Sequence, residues 1–519
     1  MGETAQTSAA GDGWAADATT GAWMTFRWHF LLAALASVVL SAWGGYALPI
    51  PNPDAVLYLR AADQFSIGQW VEGFDTYKWP FYSLLIAGMK VMTGLETLYA
   101  AQVVNALLSL GLTLVLIALA VELTNGDRAV VTVACILVLM QGQLMGMRPA
   151  IVKEHGYLAF MVATVLFTVV DNDRPSWGTK LALLLSVTGA TLFRIEGLYL
   201  ALLVIGFYVL VRLKTVTAQV TTIVLFVLTA SALLPFAFRL WVGGSLEKWI
   251  SGSAALDVSV FWSIILKRVH LLETEVLTFG GGIGWHIYAS VAIGIAFYQT
   301  LRAVTPVYAF YGLFAFIPNR LVPRKAMLPL MWFAAGQAPL LFLFAFLNAM
   351  LELRYAMGFA VLAIFTTIFC ATASWRELLM LRPRAFVVFP SLVATVLIAW
   401  VIELPRPGQY HPFRQASEWV KQTVPQGARI WTNEPRIAYF ADLPYGQTGG
   451  ITRIVALPPT DFEKKGEVDV VILSGDGGAI APPRPVEDLT LRARFVSETD
   501  IVLIYAACPA MIACPPPSP

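Results

Sequence analysis

The sequence has few charged residues, since Asp, Glu, Lys and Arg make up 13% of its 519 residues. In an ordinary soluble protein about a quarter of the residues are charged. Apolar residues account for 58% of the chain, and its mean hydropathy is +0.69. We therefore predict a polytopic membrane protein. The net formal charge is only +2, so the composition implies no nucleic-acid partner.

Cysteine is also scarce, with 4 residues in the whole chain. Cys135 and Cys370 lie in apolar runs, where we expect them to pack as small apolar residues. Cys508 and Cys514 lie near the C-terminus, close enough in sequence to form a disulfide if that segment is in an oxidising compartment.

Several catalytic motifs are missing from the sequence. It contains no Walker A motif, no G-x-S-x-G, no H-E-x-x-H and no C-x-x-C, so nothing supports an ATPase, a serine hydrolase or a zinc protease. The glycines of Gly280–Gly284 lack the spacing of a nucleotide-binding loop, and we interpret them as a flexible link. Residues 1–27 lack the basic start and cleavage site of a signal peptide and are predicted to form a disordered cytoplasmic tail.

The chain does have many long apolar runs, as a protein with several membrane spans requires. A span needs about 20 residues, with a minimum near 17. Phe81–Gly94 is short and contains Lys90, so we predict an interfacial or re-entrant helix there. Counting one span between 286 and 318, we predict about eleven spans. The other runs lie near 28–50, 97–123, 129–147, 157–171, 181–193, 197–211, 218–240, 327–347, 355–373 and 385–403.

Basic residues collect in alternate links between these runs, as the positive-inside rule expects of cytoplasmic loops. The clusters are Arg128; Arg174 and Lys180; Arg212 and Lys214; Arg320, Arg324 and Lys325; and Arg376, Arg382 and Arg384. The N-terminus is then cytoplasmic. The outer side holds a first loop (51–96), a long loop (about 241–285) and everything after Leu404.

This orientation predicts the result of cysteine labelling in a background without the native cysteines. A membrane-impermeant maleimide should modify a cysteine placed at Gly446, because that residue follows the last predicted span. It should spare a cysteine placed at Ser176, which lies in a predicted cytoplasmic link. The reverse pattern of labelling would contradict the orientation.

The segment 405–519 differs in composition, because polar and apolar residues are mixed and its charge is nearly balanced. Phe413, Ala416 and Val420 have helical spacing. Short β-like runs follow at 428–431, 437–440, 468–473, 493–496 and 501–505. We predict a small extracytoplasmic α/β domain here, after a transmembrane domain at 28–404.

Asp54 is the most informative single residue, since it lies directly after the first long apolar run. An ionisable residue at the edge of a membrane span is costly and marks a candidate functional site. Lys78 follows in the same loop, between Tyr77 and Trp79. An acid and then a cation at one membrane face suggest a phosphorylated, membrane-borne substrate. Alternatively, Asp54 only begins a helix, with Asn52 as its cap.

A second candidate lies between two spans, where Arg148 precedes the pair Glu154 and His155. A carboxylate beside an imidazole can bind a divalent metal or hold a substrate hydroxyl. The alternative is a solvated turn between helices, because typical metal sites need three or more protein ligands.

Two further arginines lie at predicted outer helix ends, beside acidic residues. Arg194 is followed by Glu196, and Glu352 is followed by Arg354 and Tyr355. An arginine can bind phosphate through its planar fork of donors, or it can form a structural ion pair with the adjacent glutamate. Arginines at the outer face oppose the positive-inside bias, so something should compensate them.

In combination these segments resemble polyprenyl-phosphate-sugar glycosyltransferases of the GT-C class. The nearest members are the bacterial relatives of protein O-mannosyltransferases and lipid A aminoarabinose transferases. The resemblance covers roughly 28–405 in topology. The segments that carry it are Asp54, Tyr58 and Ala61; Lys78-Trp79-Pro80-Phe81-Tyr82; Arg148 with Glu154-His155-Gly156-Tyr157-Leu158-Ala159-Phe160; and Arg354-Tyr355. Members often have Lys-Pro-Pro at the second segment and Asp-Pro where Glu154-His155 stands here.

The resemblance implies a transfer of sugar from a polyprenyl-phosphate donor to an extracytoplasmic glycan, lipid or protein, at a bacterial inner membrane. Asp54 would be the general base of a single inverting displacement. Glu154 and His155 would position the acceptor or bind a divalent metal, and Tyr58, Glu196 and Tyr355 would contact substrate. The charge of the leaving phosphate would be met by Lys78, Arg148, Arg194 or Arg354. The C-terminal domain would cap the site or dock the acceptor.

Two other functions remain compatible with the sequence. A transporter or flippase of lipid-linked glycans would also place arginines near the membrane face. A glycan polymerase or ligase would use a lipid-diphosphate donor. A sugar-transfer assay with purified protein separates these possibilities.

Overall fold

The computed structural model describes residues 25–47, 52–211, 258–276, 282–305, 324–381, 385–404, 411–424, 430–432, 434–441, 470–476, 489–496 and 500–507. Outside these ranges lie residues 1–24 of the predicted tail, the predicted span 218–240, and Cys508 and Cys514 with their predicted disulfide.

Helices dominate the part of the chain that precedes residue 405. In chain order they are α1 (Arg27–Ala47), α2 (Pro53–Ser66), α3 (Trp70–Thr76), α4 (Phe81–Thr93), α5 (Thr97–Leu123), α6 (Arg128–Leu139), α7 (Gly142–Met147), α8 (Glu154–Asp173), α9 (Trp177–Phe193), α10 (Gly197–Val211), α11 (Val258–Leu271), α12 (Gly284–Val304), α13 (Arg324–Asn348), α14 (Leu353–Leu379) and α15 (Ala385–Glu403). A π-helical turn, Leu272–Val276, continues α11 within the predicted long outer loop.

Within the described ranges, 6 helices are long and apolar enough to cross a membrane. They are α1, α5, α8, α12, α14 and the part of α13 from Met327 to Asn348. Apolar helices of 10–17 residues, among them α4, α6, α9 and α10, accompany them. The chain is therefore built as a multi-pass membrane protein, and the number of about eleven spans stays a prediction.

The apolar run 129–147, predicted as one span, is divided into two helices. α6 ends at Leu139, and the Gln141 side chain accepts a hydrogen bond from the Leu144 amide to begin α7. The Gln141 side-chain nitrogen also donates to the carbonyl of Ala303, at 3.0 Å. A glutamine inside an apolar run thus caps a new helix and contacts α12, which hydropathy alone does not show.

The predicted first outer loop is itself largely helical. Asp54 lies in the first turn of α2, and α3 and α4 follow within the same loop. A helix is confirmed within Phe81–Gly94 as α4, while its interfacial or re-entrant position stays a prediction. Gly94 ends it with φ of +72°. A positive φ is readily adopted only by glycine, which explains where this helix stops.

Helix α8 lies at the centre of the bundle. It packs chiefly against α5 and α9 and also contacts α13 and α14. Side chains around most of its circumference are buried, including the polar Glu154 and His155 in its first turn. A helix buried on nearly all sides can carry an ionisable group only where other groups compensate the charge.

The C-terminal segment contains a sheet with the order β1-β2-β4-β3. Its strands are β1 (Ile430–Thr432), β2 (Val470–Asp476), β3 (Leu489–Val496) and β4 (Asp500–Ala507). β1 is parallel to β2, and the other pairs are antiparallel. Helix α16 (His411–Thr423) packs its apolar face, Phe413, Ala416 and Val420, against the sheet, as its spacing predicted.

The strand predicted at 437–440 is wrong, because these residues belong to helix α17 (Pro435–Phe440). Local capping overrides their β propensity. Pro435 occupies the first turn, and the Glu434 side chain accepts a hydrogen bond from the amide of Arg436 at 3.2 Å. Helix α17 contacts α2, and Tyr439 packs against the main core. The C-terminal segment therefore touches the helix that carries Asp54.

Candidate functional site

A pocket of about 210 Å³ lies where the first turns of α2, α8 and α14 meet the link between α9 and α10. Residues far apart in sequence come together here, and several of them are charged. The residues that line the pocket are Asp54, Leu57, Tyr58, Tyr77, Lys153, Glu154, Arg194, Arg354 and Tyr355. Six of the ten predicted site residues lie among them: Asp54, Tyr58, Glu154, Arg194, Arg354 and Tyr355.

Asp54 is both a helix-start residue and a pocket residue. Asn52 occupies the cap position of α2 without a capping hydrogen bond from its side chain, and Pro53 provides the first turn. Asp54 Oδ2 accepts a hydrogen bond from Arg354, and no described residue donates to Oδ1. The Asp54 side chain is 45% exposed. One oxygen is thus held in place, while the other can accept a proton from a molecule in the pocket.

The segment before α8 is fixed by a buried amide from the middle of the bundle. The Asn105 side chain on α5 donates hydrogen bonds of 2.8 Å to the carbonyls of Arg148 and Ala150. These bonds anchor the backbone of the segment before α8, at whose start Lys153 and Glu154 both line the pocket. An acid in the first turn also suits the positive end of a helix dipole.

Arg194 forms the most deeply buried ion network of the site. Its guanidinium donates to Glu154 from Nη1, and to Glu196 from Nη2 and from Nε at 3.2 Å. It also lies 4.6 Å from the centre of the Tyr355 ring. The turn that holds it is tight, because a Cβ at Gly197 would lie 2.3 Å from the amide nitrogen of Thr191. The tight turn therefore fixes the backbone that carries Arg194, and the guanidinium lies between two carboxylates.

The pKa values of this network follow from its charges. Burial alone would lower the pKa of Arg194, but Glu196 and Glu154 more than offset it and raise the pKa well above its ordinary value. Burial would raise the pKa of Glu196, and Arg194 outweighs that effect and lowers it. Both groups are charged at neutral pH, so the network is an ion network rather than a neutral hydrogen-bonded cluster.

Three tyrosines line the pocket beside these charges. The Tyr58 and Tyr77 rings meet edge to face with centroids 4.8 Å apart, and Tyr355 is the third. Burial, followed by Tyr77, Glu154 and Asp54, raises the pKa of Tyr58 well above its ordinary value. Tyr58 therefore stays protonated and can donate a hydrogen bond but cannot act as a base. Aromatic faces with hydroxyl groups suit a ligand that has both apolar and polar surfaces.

Lys153 is a pocket cation that the predictions from sequence passed over. Its Nζ donates to the Tyr77 hydroxyl at 2.7 Å and lies 5.4 Å from the centre of the same ring. No carboxylate of a described residue lies within ion-pair distance of it. The positive charge of Lys153 is thus the least compensated in the pocket, since Arg194 and Arg354 are each paired with carboxylates.

Four of the ten residues predicted to form one site do not line this pocket, so that part of the prediction is wrong. Lys78 is exposed and lies outside the lining. Arg148 is buried within the bundle, where it donates to the hydroxyls of Ser37 and Ser41 at 2.9 and 3.1 Å. Arg148 is therefore held by hydroxyl and carbonyl oxygens inside the bundle. Its charge does not lie in the pocket.

His155 also points away from the pocket, because it follows Glu154 on a helix and adjacent residues face different directions. Its Nε2 lies 2.9 Å from the carbonyl of Met147, and its Nδ1 lies 3.3 Å from the Ser109 hydroxyl. Glu196, the remaining predicted residue, stands behind Arg194 as its ion-pair partner instead of lining the pocket.

Sequence reasoning missed Leu57, Tyr77, Lys153 and the supporting Asn105. Asn105 carried a usable signal, because a side-chain amide inside a 27-residue apolar helix is costly unless it has partners. Lys153 precedes the predicted Glu154 directly, but a lysine next to a turn is commonly solvated. Tyr77 precedes the predicted Lys78, and only the fold decides which of the two faces the pocket.

The residues do not fit the divalent metal that Glu154 and His155 suggested. His155 is turned away, and the pocket carboxylates of Asp54 and Glu154 are each paired with an arginine. Over the described ranges no group of three or more His, Cys, Asp and Glu side chains is arranged to hold a metal. A metal site commonly needs such a group.

No protein-family model matches the sequence, and no curated protein matches it either. Solved structures do match its fold. ArnT from Cupriavidus metallidurans, bound to undecaprenyl phosphate, aligns with a TM-score of 0.52 and 13% identity over 91% of this chain and 97% of that chain. The oligosaccharyltransferase from Archaeoglobus fulgidus, in complex with Zn and sulfate, aligns with a TM-score of 0.51 and 14% identity over 86% of this chain and 68% of that chain. The GT-C fold expected from the resemblance is thereby confirmed.

Proposed function

We propose that the chain is a membrane glycosyltransferase that moves a sugar from a polyprenyl-phosphate donor to an extracytoplasmic acceptor. One observation carries the proposal. Asp54, whose Oδ1 receives no hydrogen bond from a described residue, shares a small pocket with the cation Lys153 and three tyrosines. A base, a phosphate-binding cation and aromatic faces are the groups that transfer from a sugar phosphate requires. The shared fold with ArnT, which binds undecaprenyl phosphate, supports the choice of donor.

The proposed reaction is a single displacement with inversion at the anomeric carbon. Asp54 Oδ1 takes the proton of an acceptor hydroxyl while the acceptor oxygen forms its bond to that carbon. The bond from the carbon to the phosphate oxygen breaks, and both of its electrons leave with polyprenyl phosphate. The proton then stays on Asp54 until solvent removes it.

The leaving phosphate gains negative charge in the transition state, so a fixed cation should speed its departure. Lys153 is the pocket cation best suited to this task, because it forms no close ion pair with a carboxylate of a described residue. Arg194 and Arg354 contribute less free charge, since each is already paired with carboxylates. Their proposed role is to hold Glu154 and Asp54 in position.

The proposed setting is the outer face of a bacterial inner membrane. A donor with an isoprenoid tail stays in the bilayer, and its head group lies at the interface. The predicted orientation places the first turn of α2 at that interface. The contact of α17 with α2 brings the C-terminal segment beside the helix that carries Asp54, where we propose that it docks the glycan, lipid or protein acceptor.

The test is a transfer assay with the purified full-length chain in nanodiscs. Candidate polyprenyl-phosphate sugars are supplied with a panel of acceptors, and the release of polyprenyl phosphate is measured. Release that requires an acceptor, with an inverted anomeric product, supports the proposal. Release of polyprenyl diphosphate from a diphosphate donor would identify a polymerase or ligase. Movement of an intact lipid-linked glycan across the membrane of a reconstituted vesicle would identify a transporter.

Replacing Lys153 with methionine should reduce kcat/KM for the donor by about 10- to 100-fold, as loss of a charged hydrogen bond implies. Both the donor KM and kcat should change, because the phosphate is charged in the ground state and in the transition state. Lys78→Met is the matched comparison, since Lys78 was the lysine that the sequence favoured. A larger defect in Lys78→Met than in Lys153→Met would show that the structural assignment is wrong.

A further inference from the structure

We propose that Arg354 is the built-in cation of the Asp54–Glu154 carboxylate pair, and that it excludes a divalent metal from this pair. This compensation of charge is the same whichever sugar is transferred, and whether or not a sugar is transferred at all.

Arg354 contacts both carboxylates that line the pocket. Its Nη1 donates to Asp54 Oδ2, and its Nε lies 3.8 Å from Glu154 Oε1. Its Nε is also 2.6 Å from Oε2 of Glu352, the residue before α14 begins. The side chain is 22% exposed, so the guanidinium is held between its partners rather than projecting into solvent.

The same carboxylates have the oxygens that a hard cation would use. Glu154 Oε1 accepts from Arg194, while Glu154 Oε2 is buried and has no hydrogen-bond partner among the described residues. Asp54 Oδ1 likewise receives no hydrogen bond from them. A divalent ion bound to either carboxylate would lie close to the guanidinium of Arg354, which contacts both. Two positive charges a few ångströms apart repel each other, so the guanidinium and a divalent ion compete for the same carboxylates.

Arg354 is therefore a positioning residue. It holds Asp54 through Oδ2 and leaves Oδ1 without a donor among the described residues. Fixing a carboxylate in this way is a task that a bound metal would otherwise perform. A guanidinium supplies fixed hydrogen bonds and a charge that does not dissociate, since arginine stays protonated at all accessible pH values. The expected consequence is a pocket whose organisation is insensitive to chelators.

The experiment is a Mn²⁺ titration of the purified full-length chain, followed by electron paramagnetic resonance of the free ion. The wild-type chain should show no binding that depends on Asp54. Arg354→Met should bind Mn²⁺ at least about tenfold more tightly than wild type, because one positive charge beside the carboxylates is gone. The double variant Arg354→Met/Asp54→Asn should lose that binding.

Two controls keep the titration interpretable. Arg376→Met removes an arginine from an ion pair with Asp127 at the other end of α14, and it should create no comparable Mn²⁺ site because only one carboxylate is freed. Arg354→Lys keeps a cation and should behave like wild type. The melting temperature and the elution volume on gel filtration establish that each variant is folded.

Two outcomes would overturn the inference. One is Asp54-dependent binding of Mn²⁺ by the wild-type chain. The other is a folded Arg354→Met chain that binds Mn²⁺ no better than wild type. Because neither measurement uses a sugar donor, failure of the proposed transfer activity would leave this result standing, and failure here would leave the transfer activity untouched.

Discussion

Asp54→Asn is expected to remove nearly all turnover, by about 10²–10⁴-fold, the typical value of general-base assistance. The amide has no basic oxygen that can accept a proton from the acceptor. Its shape is retained, its oxygen can still accept from Arg354, and asparagine serves well at helix starts. Binding of the donor and the melting temperature should therefore change little. The measurements are kcat in the transfer assay and donor binding by titration.

The matched control is Asp63→Asn, which makes the same chemical change on the same helix. Asp63 Oδ1 accepts from Lys90 at 2.7 Å and from Thr97, and it does not line the pocket. Turnover per folded molecule should stay near that of wild type in this variant. Near-normal turnover in Asp54→Asn would show that Asp54 only begins α2, and it would remove the assignment of the base without changing the fold.

Arg194→Met is expected to lower the free energy of unfolding by about 3–5 kcal/mol, the usual cost of removing one partner from a buried ion pair. The substitution leaves Glu196 without its ion-pair partner and leaves Glu154 with only the more distant Arg354, 3.8 Å away. The Glu154 and Glu196 side chains are only 2% and 12% exposed. The measurement is the unfolding midpoint in mixed micelles with increasing denaturant.

A second variant tests whether the destabilisation of Arg194→Met comes from the uncompensated carboxylates or from lost packing of the arginine side chain. Arg194→Met/Glu154→Gln/Glu196→Gln removes the stranded charges and should recover a large part of the stability. Arg414→Met is the surface control, because Arg414 and Glu418 have side chains 63% and 59% exposed. It should change stability by less than about 1 kcal/mol. Equal destabilisation in Arg194→Met and in the triple variant would contradict the proposed charge network.

Composition and hydropathy predict the class of the protein and the helix ends at which charges collect. Apolar runs identified most of the described helices, because a membrane span requires about 20 apolar residues whatever its neighbours are. Sequence reasoning failed at 129–147, where the cap formed by Gln141 divides the run, and at 437–440, where Pro435 and Glu434 begin a helix. A hydropathy profile carries no information on the hydrogen bonds that cap a helix.

Within the site, the sequence also determined that arginines at predicted outer helix ends need compensation. Arg194 and Arg354 indeed have carboxylate partners, because an uncompensated charge is costly in a bundle of apolar helices. Which of these residues meet in one pocket depends on the packing of the helices. Lys153 faces the pocket while Lys78 and His155 do not, since the direction of a side chain depends on helix rotation and on loop anchors such as Asn105. These are set by packing between residues far apart in the chain.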